Sequence, residues 1–193
     1  MSLCGPFPAD YRDDMNALWL KKIGQLEIPH NKNFNFCDFL GTKATTKKWQ
    51  MDALPIDMFS SENGVLITKG DRWGLNIDPQ TQANNWIKKT HGKNLIILDV
   101  NDNKLIQKMT KCITSGKTVL LQDVMETLDP SLDNILNKSF LKGVGSELQV
   151  KIGDDLVVYN PKFMLYITTR MSNPHYTPEI STKVNVVNFS IKE

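Results

Sequence analysis

The 193-residue sequence predicts an α/β fold in which a parallel β-sheet is covered by helices on both faces. From residue 73 onward, short β-rich apolar segments alternate with amphipathic segments whose apolar residues recur at helical spacing. Strand segments such as "NLIILD" and "TVLLQDV" are almost continuously apolar. That pattern is typical of strands buried on both faces, so the alternation favours a parallel sheet over an antiparallel sandwich.

The elements are predicted as an N-terminal helical extension, residues 1–56, followed by an α/β domain, residues 57–193. The extension contains helix 8–25 and a second helix in "TKATTKKWQMDAL", which stops before Pro55. The segment "GVLITKGDRWGLNID" predicts two short strands around Lys69-Gly70-Asp71. The further predictions are strands 73–77, 94–99, 118–123, 163–169 and 184–191, helices 79–90, 102–114 and 129–139, and a polar hairpin turning at Gly153-Asp154.

Composition excludes several classes of function. Hydrophobic residues make up 40% and charged residues 23%, which fits a soluble domain with a sizeable core. The formal net charge of +2 is too small to indicate a nucleic-acid-binding surface. No apolar segment approaches the 18 residues that a membrane-spanning helix needs. The three widely spaced cysteines favour a reducing compartment and argue against disulfides and zinc, and we expect no metal site.

One short motif suggests nucleotide binding and is rejected. Gly116-Lys117-Thr118 has the last three letters of the phosphate-loop motif G-x-x-x-x-G-K-[ST], but Lys111 stands where its first glycine should be. The flanks are also reversed, because an amphipathic helix precedes the motif and an apolar strand follows it. We therefore interpret Gly116 as the residue that ends a helix and Lys117 as a solvated turn residue.

The position where a parallel α/β sheet binds ligands is the carboxyl end of its strands. After the first core strand, phosphate binding requires glycines and a lysine, but the sequence has Asp78, Pro79, Gln80, Thr81, Gln82, Ala83 and Asn84. Asp78 would repel phosphate and Pro79 has no N–H to donate. We expect Asp78 to cap the following helix, with Pro79 at its first position.

Two further strand ends complete this degenerate site. Gln122 and Asp123 stand where a magnesium-dependent ATPase has a metal-holding Asp and a catalytic Glu, so the acidic motif is impaired. Thr169 ends the fourth core strand, where a polar residue can sense a γ-phosphate or can simply be a threonine at a strand end. No catalytic residue is predicted, and the sequence indicates a P-loop-like module whose catalytic positions have been replaced.

Long stretches of the sequence resemble dynein heavy chains, specifically the large subdomain of the fifth AAA+ module of their motor ring. The resembling segments are "YRDDMNALW", "LPIDMFSSENGVLITKGDRWGLNIDPQTQANNWIK", "GKTVLLQDVMETLDPSLDNILNKSF" and "YNPKFMLYITTRMSNPHYTPEISTKVNVVNFSI". They cover nearly all of residues 9–191 in order, which is far more specific than any short motif.

The resemblance implies a three-layer, P-loop NTPase-like AAA+ sheet with strand order 5-1-4-3-2, without the small helical subdomain. It implies a non-hydrolysing structural module in an ATP-driven motor that moves toward microtubule minus ends, with no cofactor in this segment and ATP and Mg²⁺ in the parent motor. Its implied partners are neighbouring AAA+ modules, microtubules through other parts of the parent, and dynein intermediate and light chains. The implied location is the cytoplasmic cytoskeleton, with a lean toward the ciliary axoneme.

Lys183 is the cation nearest to the position from which an AAA+ module contacts its neighbour's nucleotide. It is interpreted either as that inter-module contact or as a solvated lysine.

Two other functions of the chain remain as alternatives. A free-standing α/β signalling or scaffold domain is suggested by Asp78, Asp99 and Asp123 at or near strand ends. An active P-loop ATPase would need the intact phosphate loop that this sequence lacks.

Overall fold

Five parallel strands form the central sheet of the computed structural model, which describes residues 3–143, 145 and 147–190. The chain contains eight strands in the described residues: β1 Gly74–Ile77, β2 Leu95–Asp99, β3 Thr118–Gln122, β4 Leu141–Lys142, β5 Leu148–Ile152, β6 Asp155–Tyr159, β7 Met164–Thr169 and β8 Asn185–Asn188. The last residue of the predicted strand 184–191 lies outside the described residues, as do the outermost residues of both predicted domains.

The central sheet has the order β2-β3-β7-β1-β8 and every pairing in it is parallel. Counted along the chain, these five strands lie in the order 5-1-4-3-2, so the predicted topology is confirmed. A separate antiparallel sheet has the order β4-β5-β6. The predicted polar hairpin is β5–β6, and Gly153 provides the positive φ of 59° at its turn.

In the described part of the chain, eight α-helices surround the strands: α1 Ala9–Gln25, α2 Phe36–Leu40, α3 Lys43–Met51, α4 Met58–Lys69, α5 Gln82–His91, α6 Leu105–Ser115, α7 Asp133–Leu136 and α8 Pro178–Lys183. Helices α1, α3, α5 and α6 confirm predicted helices to within a few residues at their ends. The predicted helix 129–139 is instead a 3₁₀ turn, Pro130–Leu132, followed by the single turn α7.

The predicted β-hairpin around Lys69-Gly70-Asp71 is wrong in its first strand, because residues 58–69 form helix α4. The helix begins where the Oδ1 atom of Asp57 accepts a hydrogen bond of 2.7 Å from the backbone N–H of Ser60. Gly64 allows α4 to approach Trp49 so closely that a Cβ would lie 2.9 Å from its ring. Tertiary packing therefore overrides the β-propensity of the Val65–Thr68 segment.

Each face of the central sheet is covered by its own apolar core, except along the edge strand β2, where Ile96 and Ile97 are exposed and the expected burial on both faces is wrong. On one face, β-strand residues such as Leu121 and Ile167 pack with α6, α7 and the β5–β6 hairpin. On the other face, Leu120 and Tyr166 pack with residues of α2 to α5. The predicted three-layer arrangement is confirmed, and the two cores hold the strand ends in fixed positions relative to one another.

The Gly116-Lys117-Thr118 segment connects α6 to β3, as predicted. Gly116 has a left-handed φ of 67°, and the backbone N–H of Lys117 donates to the carbonyl of Cys112 at 3.0 Å. This is the hydrogen bond of a Schellman helix end, so the segment terminates a helix rather than starting one.

Candidate functional site

The carboxyl ends of three neighbouring strands, β3, β7 and β1, meet at one edge of the central sheet. The backbone N–H of Asp78, the residue after β1, donates to the carbonyl of Thr169 at 2.8 Å. The backbone N–H of Val124, just beyond β3, donates to the carbonyl of Thr168 at 3.1 Å. The structure thus brings together the strand ends at which the sequence predicts a degenerate nucleotide site.

Asp78 is fully buried, and its carboxylate lies at the amino end of α5. Its Oδ1 atom accepts from the backbone N–H of Gln82 at 2.7 Å, and its Oδ2 atom accepts from the backbone N–H of Asn84 at 2.9 Å. Burial raises the pKa of Asp78, whereas backbone hydrogen bonds from Asn84, Gln82 and Ala83 act in the opposite direction. The carboxylate satisfies the free N–H groups that a helix start offers to an anion.

The predicted position of Pro79 at the start of the helix is wrong. Pro79 and Gln80 form a turn, Thr81 follows in the left-handed conformation with φ 59°, and α5 begins only at Gln82. Asp78 still caps the helix, but across a four-residue turn closed by the Thr81 N–H bond to the Asp78 carbonyl at 3.2 Å. Within the turn, the Nε2 atom of Gln82 donates to Oε1 of Gln80 at 3.2 Å.

Asn84 connects the cap to the other two strand ends, a role that the sequence pattern does not reveal. Its Nδ2 atom donates to Oδ2 of Asp78 at 3.3 Å. Its Oδ1 atom accepts from Nε2 of Gln122 at 2.6 Å and from Oγ1 of Thr168 at 3.3 Å. Ala83, next to it, is fully buried. These bonds form one polar network, Asp78–Asn84–Gln122–Thr168, in which each side chain is bonded to another residue of the chain.

Asp123 makes a different contact from the one that a catalytic base would need. Both of its carboxylate oxygens accept from Arg170, which follows β7, at 2.6 Å and 2.9 Å. Asp123 also has a left-handed φ of 57°, which aspartate tolerates better than most residues do. Arg170 was not among the predicted site residues, although the predicted strand order already places its strand next to that of Asp123.

Thr169 is buried, and its Oγ1 atom accepts from the backbone N–H of Met171 at 3.2 Å. Lys183 is the last residue of α8, and Val184 separates it from β8. Its Nζ atom donates to Oδ2 of Asp133 and to Oε1 of Glu179, both at 2.8 Å, and these two hydrogen bonds raise the pKa of Lys183. The lysine is therefore engaged by two carboxylates of its own chain.

The polar side chains at this edge of the central sheet are bonded to one another and to backbone groups of the same chain. Within residues 3–143, 145 and 147–190, no three His, Cys, Asp or Glu side chains are grouped so that they could hold a metal ion. No helix in the same described part is both long enough and apolar enough to cross a membrane. The arrangement connects three strand ends and one helix start.

Comparison of the sequence with those of known proteins identifies a family. Residues 47–193 match the sequence profile described as the ATP-binding dynein motor region. The chain is 45% identical over 196 residues to "Dynein-1-beta heavy chain, flagellar inner arm I1 complex" of Chlamydomonas reinhardtii, a match that covers 100% of this chain and 4% of that protein. It is 44% identical over 195 residues to "Dynein axonemal heavy chain 2" of Mus musculus, covering 100% of this chain and 4% of the relative.

A third relative, "Dynein axonemal heavy chain 6" of Homo sapiens, is 40% identical over 188 residues, covering 97% of this chain and 4% of its own length. The chain thus spans 4% of the length of the curated relatives that it matches.

Proposed function

The chain belongs to the dynein heavy-chain family, within its motor region, and from that premise we propose that it is a structural AAA+ module that does not hydrolyse ATP. In this proposal it forms the large subdomain of the fifth module of a motor ring, with residues 1–56 as an N-terminal helical extension and residues 57–193 as the α/β subdomain. Its role is to hold neighbouring parts of the ring together.

The observation that carries the proposal is the buried carboxylate of Asp78 at the amino end of α5. In a phosphate-binding module, this helix end supplies the N–H groups and the positive dipole end that hold the nucleotide's phosphates. Here Asp78 already accepts from these groups, and a phosphate approaching the same N–H groups would meet a negative charge. A lysine, which would offset that charge, is absent from residues 78–84.

The positions that would hold magnesium and activate water support the same proposal. Gln122 donates to Asn84 through its amide, and an amide is a weak ligand for Mg²⁺. Asp123 is held on both oxygens by Arg170, so a catalytic use of its carboxylate would first require breaking that ion pair. ATP and Mg²⁺ therefore belong, in this proposal, to other modules of the parent motor.

The test is calorimetric titration of the chain with Mg-ATP, together with a phosphate-release assay. We expect no hydrolysis and no affinity better than about millimolar, a binding free energy of ~4 kcal/mol. The variant Lys117→Ala is the matched control, because it removes the lysine of the misleading Gly116-Lys117-Thr118 segment. Micromolar binding by the unmodified chain would overturn the proposal, and its loss in Lys117→Ala would locate that binding at the segment.

We infer that Lys183 contributes to the contact with the preceding module. The support is its place at the end of α8, and its pairing with Asp133 and Glu179 leaves the side chain 13% exposed. Those two carboxylates already occupy the ammonium group, so the lysine would have to release at least one of them before it steadied a neighbour's phosphate as a point charge. A ring structure with the Lys183 ammonium remote from the neighbouring pocket in every nucleotide state would rule this out.

The parent protein, in this proposal, is an ATP-driven, minus-end-directed microtubule motor with intermediate and light chains. The relatives' names refer to axonemes and to a flagellar inner arm, which supports a location on the cytoskeleton of a cilium or flagellum. Contact with microtubules is assigned to parts of the heavy chain outside these residues.

A further inference from the structure

Helix α1 carries an apolar stripe that the rest of the described chain leaves largely exposed, although Tyr11 stacks on Phe7 and the Met15 sulfur lies 3.8 Å from that of Cys4. Its members are spaced at i, i+4, i+7 and i+8, so they lie along one side of the helix. Their exposed fractions are 64% for Tyr11, 37% for Met15, 69% for Leu18 and 58% for Trp19. We call these four residues the α1 stripe. Of the 17 residues of α1, all of them described, Arg12 is the buried one.

The direction in which the α1 stripe faces is fixed by Arg12. Its guanidinium group donates to the carbonyls of Cys4, Gly5 and Phe7 at 2.9 to 3.1 Å and to Oδ1 of Asn63 at 2.8 Å. It also forms an ion pair with Glu62 of α4 at 3.3 Å. A desolvated arginine with this many partners attaches α1 to α4 in one orientation.

This arrangement contrasts with that of an ordinary surface helix. Such a helix turns its apolar side to the core and its polar side to water, and most of its stability comes from that packing. In α1, the buried contact is an arginine near the amino end, and the apolar residues that follow it on the same side of the helix, Met15 and Trp19 at i+3 and i+7, remain 37% and 58% exposed. A contiguous exposed apolar surface held in a fixed direction indicates a docking site.

We propose that the α1 stripe is covered by an amphipathic helix of the same heavy chain that lies outside these 193 residues. The chain spans 4% of the length of its relatives, so most of the polypeptide is available to supply that helix. The spacing of the stripe is the one that packs against another helix, with side chains of each inserted between those of the other.

The size of the stripe favours a partner in the same chain over a separate protein. Stable complexes between proteins bury roughly 800 Å² on each partner, contributed by about 20 to 30 residues. Four side chains on one helix supply only part of such an interface. Within one polypeptide, the tether raises the effective concentration of the partner, so a small apolar contact is sufficient. The inference rests on the proposed function, because it requires this chain to be one module of a longer heavy chain.

The experiment is site-specific photo-crosslinking in the full-length heavy chain, with a photoreactive amino acid at position 18. We expect an intramolecular cross-link, mapped by mass spectrometry to a segment outside these 193 residues. The same amino acid at position 21 is the matched control, because Lys21 is also exposed on α1 but lies outside the stripe. A second arm places the photoreactive group at position 15 and adds Leu18→Glu and Trp19→Glu, which should abolish that cross-link.

Three outcomes would overturn the inference: a cross-link from position 18 to a second copy of the heavy chain, a cross-link to a different polypeptide, or equal yields from positions 18 and 21. The cross-linking experiment and the test of the proposed function can fail independently of each other. Micromolar ATP binding by the chain would overturn the proposed function without altering the cross-link, and a failed cross-link would leave the ATP result unchanged.

Discussion

Two turns of this chain bear on phosphate binding, one through its residue types and the other through its position, and they lie at opposite ends of the parallel strands. Gly116 and Lys117 precede β3, at the carboxyl end of α6. Asp78 to Thr81 follow β1, at the amino end of α5. The first turn has the expected glycine and lysine, whereas the second has an aspartate and a proline.

The comparison teaches that helix polarity, rather than the presence of a glycine and a lysine, decides where an anion can bind. The carboxyl end of α6 presents carbonyl groups and the negative end of the helix dipole, which suits Lys117 and disfavours phosphate. The amino end of α5 presents N–H groups, which suit an anion, and Asp78 provides one from within the chain. The turn before α5 lies at a helix end that can bind an anion, but Asp78 already occupies that end. The turn after α6 contains the glycine and the lysine, but it lies at the carboxyl end of a helix, which disfavours an anion.

The largest effect is expected from Asp78→Ala. The substitution removes both oxygens that accept from the N–H groups of Gln82 and Asn84, leaving donors in a buried environment without partners. A lost helix cap together with unpaired buried donors should lower the free energy of unfolding by about 3 kcal/mol. Urea denaturation of the variant and the unmodified chain measures the difference.

Asp78→Asn is the matched control for that experiment. It keeps the shape of the side chain and one acceptor oxygen but loses the charge and the second acceptor. We expect a loss of roughly half that of the alanine variant, about 1.5 kcal/mol. The free energy of unfolding of Asp78→Ala could instead lie within about 0.5 kcal/mol of that of the unmodified chain, a difference typical of ordinary surface substitutions. That result would show that the carboxylate does not hold the start of α5.

The next effect tests the other turn. Gly116→Val places a β-branched residue at a φ of 67°, and its Cβ would lie 2.7 Å from the Cγ atom of Asn160. We expect a loss of about 2 kcal/mol in the free energy of unfolding. Lys117→Ala, in the same turn, should change stability by less than about 0.5 kcal/mol. Thermal unfolding distinguishes them, and equal losses would show that Lys117 makes a contact that the structure lacks.

Much of the fold follows from local sequence patterns. Continuous apolar segments predicted the strands β2, β3 and β7, and the glycine at position 116 predicted the end of α6. The failure at α4 has a physical cause: "NGVLITK" contains a glycine and β-branched residues, but its helix is stabilised by the Asp57 cap and by close contact with Trp49, which is distant in sequence from Gly64.

The candidate site was predicted only in its location. Parallel strands place Asp78, Gln122 and Thr169 at one edge, and strand order follows from the family resemblance. The partners within that edge depend on side-chain geometry that no spacing rule supplies. Asn84 was expected only as part of a degenerate loop, but it joins Asp78 to Gln122 and Thr168. Likewise, the pairing of Asp123 with Arg170 requires knowledge of two loop conformations.

Apart from the Lys117→Ala control, the smallest expected effect is a gain in stability from Thr81→Gly. Thr81 is a β-branched residue at φ 59° and ψ 24°, a conformation that glycine adopts without steric cost, and its side chain makes no capping hydrogen bond. Glycine would keep the backbone bonds that close the turn, from the N–H of Thr81 to Asp78 and from the N–H of Asn85 to Thr81. Relief of the strain should exceed the greater flexibility of glycine in the unfolded chain, for a net gain of about 1 kcal/mol by thermal unfolding. Thr81→Ala, which removes the β-branch but keeps a Cβ, should give a smaller gain. A loss of stability in Thr81→Gly would mean that the turn before α5 does not hold this residue in the left-handed conformation. The contrast between this strained turn, capped by Asp78, and the relaxed glycine turn at Gly116 would then have to be abandoned.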